Sequence, residues 1–180
     1  MVQAGSMGLP FISVRGLLGS DILKHRPDLR VIENPFNPKE EVVITRSIRP
    51  DVAVFHALKA DRWGNAIMPG VRDDLIMARA SKWVIVTAEE VSEQKLTPRD
   101  AIEETFLPAI DVDGVVSLPF GAHPCSCGNR YTIDDAHVKE YLEASKEERT
   151  FRSYLGKYVY SINNQQEYLK RVGISVGENI

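Results

Sequence analysis

Residues Trp83-Val84-Ile85-Val86-Thr87 form an unbroken apolar run directly behind a helix pattern, and that order constrains the fold more than any other stretch of the chain. A run this short and rich in β-branched residues is a strand, and its continuous hydrophobicity is that of a strand buried on both faces, as parallel strands are. The helix before it follows the turn signal Pro69-Gly70, takes Asp73 as its N-cap, and places Leu75, Ile76, Ala78 and Ala80 among good helix formers. Ahead of that helix, residues 51–58 make another strand run opened by Pro50, and Val42-Val43-Ile44-Thr45 a shorter one. Strand, helix, strand in this order is the parallel crossover unit. Residues 115–118 add a strand, and helices are expected over 133–148, capped by Asp134, and over 163–172. The expected architecture is an α/β fold with an open, mostly parallel sheet and flanking helices.

A chain of 180 residues fits a single domain with a real core, taken here as residues 1–180 with a loose tail over 173–180. The chain enters through a Gly-rich loop over residues 1–10 with no leading strand and helix, so the architecture reads as incomplete at its N-terminus. With 43% hydrophobic and 26% charged residues it is an ordinary globular composition. A formal charge of -3 and the lack of any Lys/Arg stripe exclude a phosphate-backbone partner, so no nucleic acid is expected. No apolar run approaches the roughly 20 residues that span a bilayer, and no basic segment followed by an apolar stretch opens the chain. No membrane contact and a cytoplasmic location are therefore expected. Cys125 and Cys127, one residue apart, cannot make a disulfide framework and read as free thiols in a reducing compartment.

The chemistry-bearing stretch is Phe120-Gly121-Ala122-His123-Pro124-Cys125-Ser126-Cys127-Gly128, directly after an apolar strand run. In an open parallel sheet, ligands bind beyond the carboxyl ends of the strands, where this loop is expected to lie. His123, Cys125 and Cys127 spell H-x-C-x-C, but zinc takes four ligands at wider cysteine spacing, so no metal is assigned. His123 has two readings: a substrate contact, or a hydrogen-bonded histidine that fixes its own turn. Asp61-Arg62-Trp63-Gly64-Asn65 has the residue types of a tight structural turn. Glu89 and Glu90 end a strand where acid–base carboxylates often sit. Trp63 and Met68 are candidate interface residues.

Four motifs recur in an order that resembles a known family: Gly8-Leu9-Pro10-Phe11 with Arg15-Gly16-Leu17-Leu18-Gly19-Ser20-Asp21; residues 60–66; residues 84–90; and Gly121-Ala122-His123-Pro124-Cys125-Ser126-Cys127. Together they resemble the A subunit of family I CoA-transferases of the glutaconate CoA-transferase type, and cover the later part of that subunit. The resemblance implies a CoA-transferase-like α/β fold and a B subunit of similar fold as partner in a hetero-oligomer. It implies transfer of CoA between an acyl-CoA and a small carboxylic acid, with dicarboxylic acids among the candidates. It implies no cofactor, CoA being substrate. It also places the nucleophilic glutamate on the partner, so no catalytic residue is expected on this chain, and it speaks against a direct role for Glu89.

The substrate-binding residues expected here are Arg15, Gly121, His123 and Ser126. Arg15 offers a fork for a carboxylate or an interface ion pair, Gly121 lets backbone approach closely, and Ser126 donates a hydrogen bond. Relatives of the same scaffold include CoA-ester ring-opening hydrolases and an enoyl-CoA decarboxylase, so those activities are the alternative; a non-catalytic structural role is the third.

Overall fold

The computed structural model describes residues 1–14, 16–70 and 73–175. A short helix, α1 (Val2–Ser6), opens the chain where the sequence suggested only a Gly-rich loop. Packing decides the difference: α1 buries Ala4 against its surroundings and lies on the helix before the central strand, and Gly5 is pressed so closely on Ile48 that a Cβ there would fall 2.1 Å from its carbonyl oxygen. Strands β1 (Phe11–Val14), β2 (Leu29–Asn34) and β3 (Asn37–Arg46) form an antiparallel sheet in the order β1-β3-β2, with helix α2 (Ile22–His25) in the first connection.

Strand β4 (Val52–Ala57) starts the parallel sheet. A hairpin of β5 (Lys59–Asp61) and β6 (Ala66–Met68) follows, then helix α3 (Asp74–Ala80) and strand β7 (Trp83–Ala88). After β8 (Val91–Ser92) and β9 (Thr105–Leu107), strand β10 (Gly114–Ser117) returns beside β7. The order is β10-β7-β4, all parallel, and the strand, helix, strand reading of β4, α3 and β7 holds. The fold class is α/β as expected, although among the described residues only this sheet is all parallel; the third sheet, β8-β5-β6-β9, is mixed.

The core lies on one side of the parallel sheet, where Ala53, Ala57, Val84, Val86 and Ala88 pack against Ala78 of α3, Met68 of β6 and Leu107 of β9. Met68 is 1% exposed, which corrects its reading as an interface residue: its hairpin folds under the sheet and makes it core. Both connections leave and re-enter on this face. On the other face Val52, Val54, Trp83, Ile85 and Val116 alternate with the core residues and stay exposed, so among the described residues the central strand is covered on one side only.

Downstream of the sheet, α4 (Asp135–Ala144) begins at the Asp134 cap, whose carboxylate accepts from the His137 amide at 2.9 Å. The helix expected over 133–148 breaks after Ala144, whose carbonyl the Thr150 hydroxyl takes up at 2.7 Å, and resumes as α5 (Glu148–Leu155). A π-helical stretch, Gly156–Tyr160, leads to α6 (Gln165–Arg171), capped by Asn164. Beyond it the Ile174 amide bonds back to Leu169 at 2.9 Å; the rest of the expected tail, residues 176–180, lies outside the described residues.

Candidate functional site

Parallel strands deliver side chains to their carboxyl ends, and three such ends meet here. His56 of β4 faces Thr87 of β7 in register, and Glu89 follows one residue after β7. His56 Nδ1 lies 2.8 Å from Thr87 Oγ1, and His56 Nε2 lies 2.5 Å from Glu89 Oε1. The loop after β10 joins them: the Phe120 amide donates to Glu89 Oε2 at 2.8 Å, and the Tyr131 hydroxyl donates to Glu89 Oε1 at 2.6 Å. The Glu89 side chain is 8% exposed, so a carboxylate with three partners is buried at the sheet's carboxyl end. Burial together with the Glu89 contact pushes the Tyr131 phenol far above its ordinary range, and the group stays a neutral donor.

A cavity of about 200 Å³ opens beside this network, lined by Val54, Phe55, His56, Met68, Pro69, Ala122, Ser126 and Cys127. Its walls are mostly apolar with a few polar groups, the usual make-up of a small-molecule site. Ser126 is exposed at its edge, whereas Cys127 is 1% exposed; burial and then the charge of Glu89 push its thiol up, the opposite of what a nucleophile needs. His56, Glu89 and Cys127 present imidazole, carboxylate and thiol atoms within 4.8 Å of one another. In this arrangement His56 Nε2 and Glu89 Oε1 bond to each other directly.

The candidate residues from the sequence fall in different places. Gly121 lies against the His56 ring, and Ser126 is on the cavity wall, so these two come together with the network. His123 does not join them. Its side chain is 5% exposed, with Nδ1 2.8 Å from the Tyr168 hydroxyl and Nε2 3.2 Å from Asp134 Oδ2, which ties the loop to α6 and to the cap of α4. Arg15 lies outside the described residues. Glu90 parts from Glu89 and pairs with Lys59 at 2.7 Å and Arg130 at 3.4 Å, its pKa lowered chiefly by the Lys59 bond. Asp61 makes the tight turn expected, accepting from the Trp63, Asn65 and Leu96 amides and from Asn65 Nδ2.

Sequence reasoning missed His56, Thr87 and Tyr131. The signal for the first two was a polar residue near the end of each of two apolar strand runs; the observed ends, Ala57 and Ala88, put both one residue from the end. Tyr131 carried none, because its bond to Glu89 spans 42 residues.

The protein-family model described as coenzyme A transferase matches residues 1–118. The chain is 33% identical over 189 aligned residues to the A subunit of glutaconate CoA-transferase from Acidaminococcus fermentans, covering 96% of this chain and 59% of that protein. It is 29% identical over 166 residues to the cholesterol ring-cleaving hydrolase IpdA subunit of Rhodococcus jostii, covering 88% and 56%. Among solved structures, glutaconate coenzyme A-transferase from Acidaminococcus fermentans superposes with a TM-score of 0.86 at 31% identity, over 96% of this chain and 59% of that one. A cysteine-to-serine variant of the decarboxylase AibA/AibB superposes with a TM-score of 0.69 at 34% identity, over 86% and 57%. The chain thus spans a little over half the length of these relatives. A family match covering α1 through the end of β10, carried on the superposed fold just described, means that this chain belongs to the coenzyme A transferase family.

Proposed function

We propose that the chain forms part of the A subunit of a CoA-transferase that moves CoA between an acyl-CoA and a small carboxylic acid. The observation that carries this reading is the superposition of nearly the whole chain on glutaconate coenzyme A-transferase at a TM-score of 0.86. In the proposed reaction a glutamate oxygen on the partner B subunit makes the attack on the thioester carbonyl and CoA thiolate leaves, giving a mixed anhydride. The thiolate then attacks the glutamyl carbonyl, the first acid departs, and an enzyme thioester remains for the second acid. Every bond broken is matched by one formed between enzyme, CoA and acid, so the reaction calls for no further cofactor.

This chain would supply the wall of the acyl site. The cavity beside His56 suits a short acyl chain, Ser126 offers a hydroxyl donor at its edge, and Gly121 allows the loop to sit on the His56 ring. His123, with both ring nitrogens engaged within the fold, would serve by anchoring the loop. Arg15 is proposed as a carboxylate contact on its residue chemistry alone. A reducing, cytoplasmic setting agrees with the free thiols, and no helix among the described residues is long and apolar enough to cross a membrane.

A second reading, hydrolysis or decarboxylation of a CoA ester on the same fold, is favoured by the matches to a ring-cleaving hydrolase and to a decarboxylase. Chromatography of CoA esters separates the two. The complex, co-expressed with its adjacent partner subunit, is incubated with glutaconyl-CoA with and without acetate. Acetyl-CoA formed only with acetate supports transfer. Consumption of the ester at the same rate without acetate overturns it, and free CoA or a decarboxylated ester then identifies the alternative.

A further inference from the structure

The loop after β10 supplies Ala122, Ser126 and Cys127 to the cavity wall, and Glu89 holds that loop at both ends. One carboxylate oxygen accepts from the Phe120 amide and the other from the Tyr131 hydroxyl. The same two residues stack, with ring centroids 4.9 Å apart, and the Tyr131 oxygen accepts from the Ala122 amide at 3.1 Å. Phe120 has a φ of 57°, a left-handed backbone that an aromatic residue adopts only where its surroundings impose it. The Glu89 bond to its amide is such an imposition.

The His56 ring backs the Glu89 carboxylate. Its Nε2 faces Glu89 Oε1 at 2.5 Å and its Nδ1 faces Thr87 Oγ1 at 2.8 Å, and Thr87 Oγ1 also reaches the Phe55 carbonyl at 3.2 Å. Ring and hydroxyl thus tie the carboxylate to β4 and β7.

We infer that Glu89 is a positioning residue for the acyl-facing loop: it grips Phe120 and Tyr131 through a carboxylate held in place by the His56 ring. The consequence for acyl-CoA rests on the reading under Proposed function; the tether itself does not. The test uses the complex with its partner and two variants, Glu89→Gln and Tyr131→Phe. Two readouts are taken: amide hydrogen exchange over residues 119–131 and steady-state kinetics with glutaconyl-CoA and acetate.

In both variants loop exchange rises about tenfold while β4 and β7 are unchanged. KM for the acyl-CoA rises about tenfold with kcat within about twofold, the pattern of lost positioning for binding. Unchanged loop exchange in both variants overturns the tether, whatever the kinetics. Loss of protection through β4 and β7 reduces Glu89 to a stability role, and a fall in kcat at constant KM makes it a catalytic group; either overturns the inference. If the wild type turns over no acyl-CoA, the transferase reading fails while exchange still decides the tether.

Discussion

Gly121 touches the ring of His56: a Cβ at position 121 would fall 2.7 Å from Cε1 of His56 and 2.8 Å from the Leu118 carbonyl oxygen. The contact explains why a residue without a side chain stands where the loop crosses the sheet's carboxyl end, since any larger residue would push the loop off the network. Gly121→Ala is expected to cost about 1–3 kcal/mol, the usual penalty for forcing atoms into a packed site. Thermal unfolding of the single variant measures it. In combination with His56→Ala the cost should be smaller than the sum of the two, because the ring is half of the obstruction. Full additivity would show that ring and glycine do not meet.

Met68 is both core and cavity wall. Met68→Ala should lower stability by about 2–5 kcal/mol, as other deletions of large buried side chains do. Denaturant unfolding should show a lower midpoint at constant slope. A loss below about 0.5 kcal/mol, the usual size of surface effects, would mean that the hairpin does not carry Met68 under the sheet.

Asp61 governs the acid side of the stability curve. Burial pushes its carboxyl up, but the Asn65 side chain and the Leu96, Asn65 and Trp63 amides outweigh it and hold the pKa below the ordinary 3.8. As pH falls from 3.8 the unfolded chain takes up the proton first, so the stability this residue contributes is complete above that value and lost below it. Asp61→Asn should cost about 1–3 kcal/mol at neutral pH, since an amide group turns donors towards donors. It should also flatten the stability loss below about pH 4 that the wild type shows. An unchanged acid slope in the variant would sink this account.

His137 sets a second, milder threshold. It is 6% exposed, its Nε2 lies 2.8 Å from the Tyr154 hydroxyl, and burial followed by the charge of His123 lowers its pKa below 6.5, against the opposing pull of Asp134 and Glu140. The unfolded histidine therefore protonates first as pH falls below 6.5, and the stability held by the neutral ring declines from there. Amides of α4 and α5 should exchange faster on going from about pH 7 to about pH 5 before those of β4 and β7 do. An NMR titration midpoint for His137 above 6.5 would reverse the sign and refute the prediction.

The local signals in the chain were enough for the parallel unit. β4, α3 and β7 were legible because apolar runs, the Pro69-Gly70 turn and an Asp73 start are local features, and the four spaced motifs placed the chain in its family. The loop at 120–128 was legible as a polar, Gly-bearing segment after a strand for the same reason, and the structure sets part of it on the cavity beside His56. Tertiary structure alone decided the rest. Whether Val84 or Ile85 is buried depends on which side both connections of the sheet pass, and no periodicity in one strand carries that choice. Met68 became core because a hairpin folds under the sheet, and α1 formed because it found α3 to pack on. The Glu89 network joins residues 31 to 42 positions apart. A hydrogen bond depends on a distance of about 3 Å in space, and separation along the chain says nothing of that until the strands are in register.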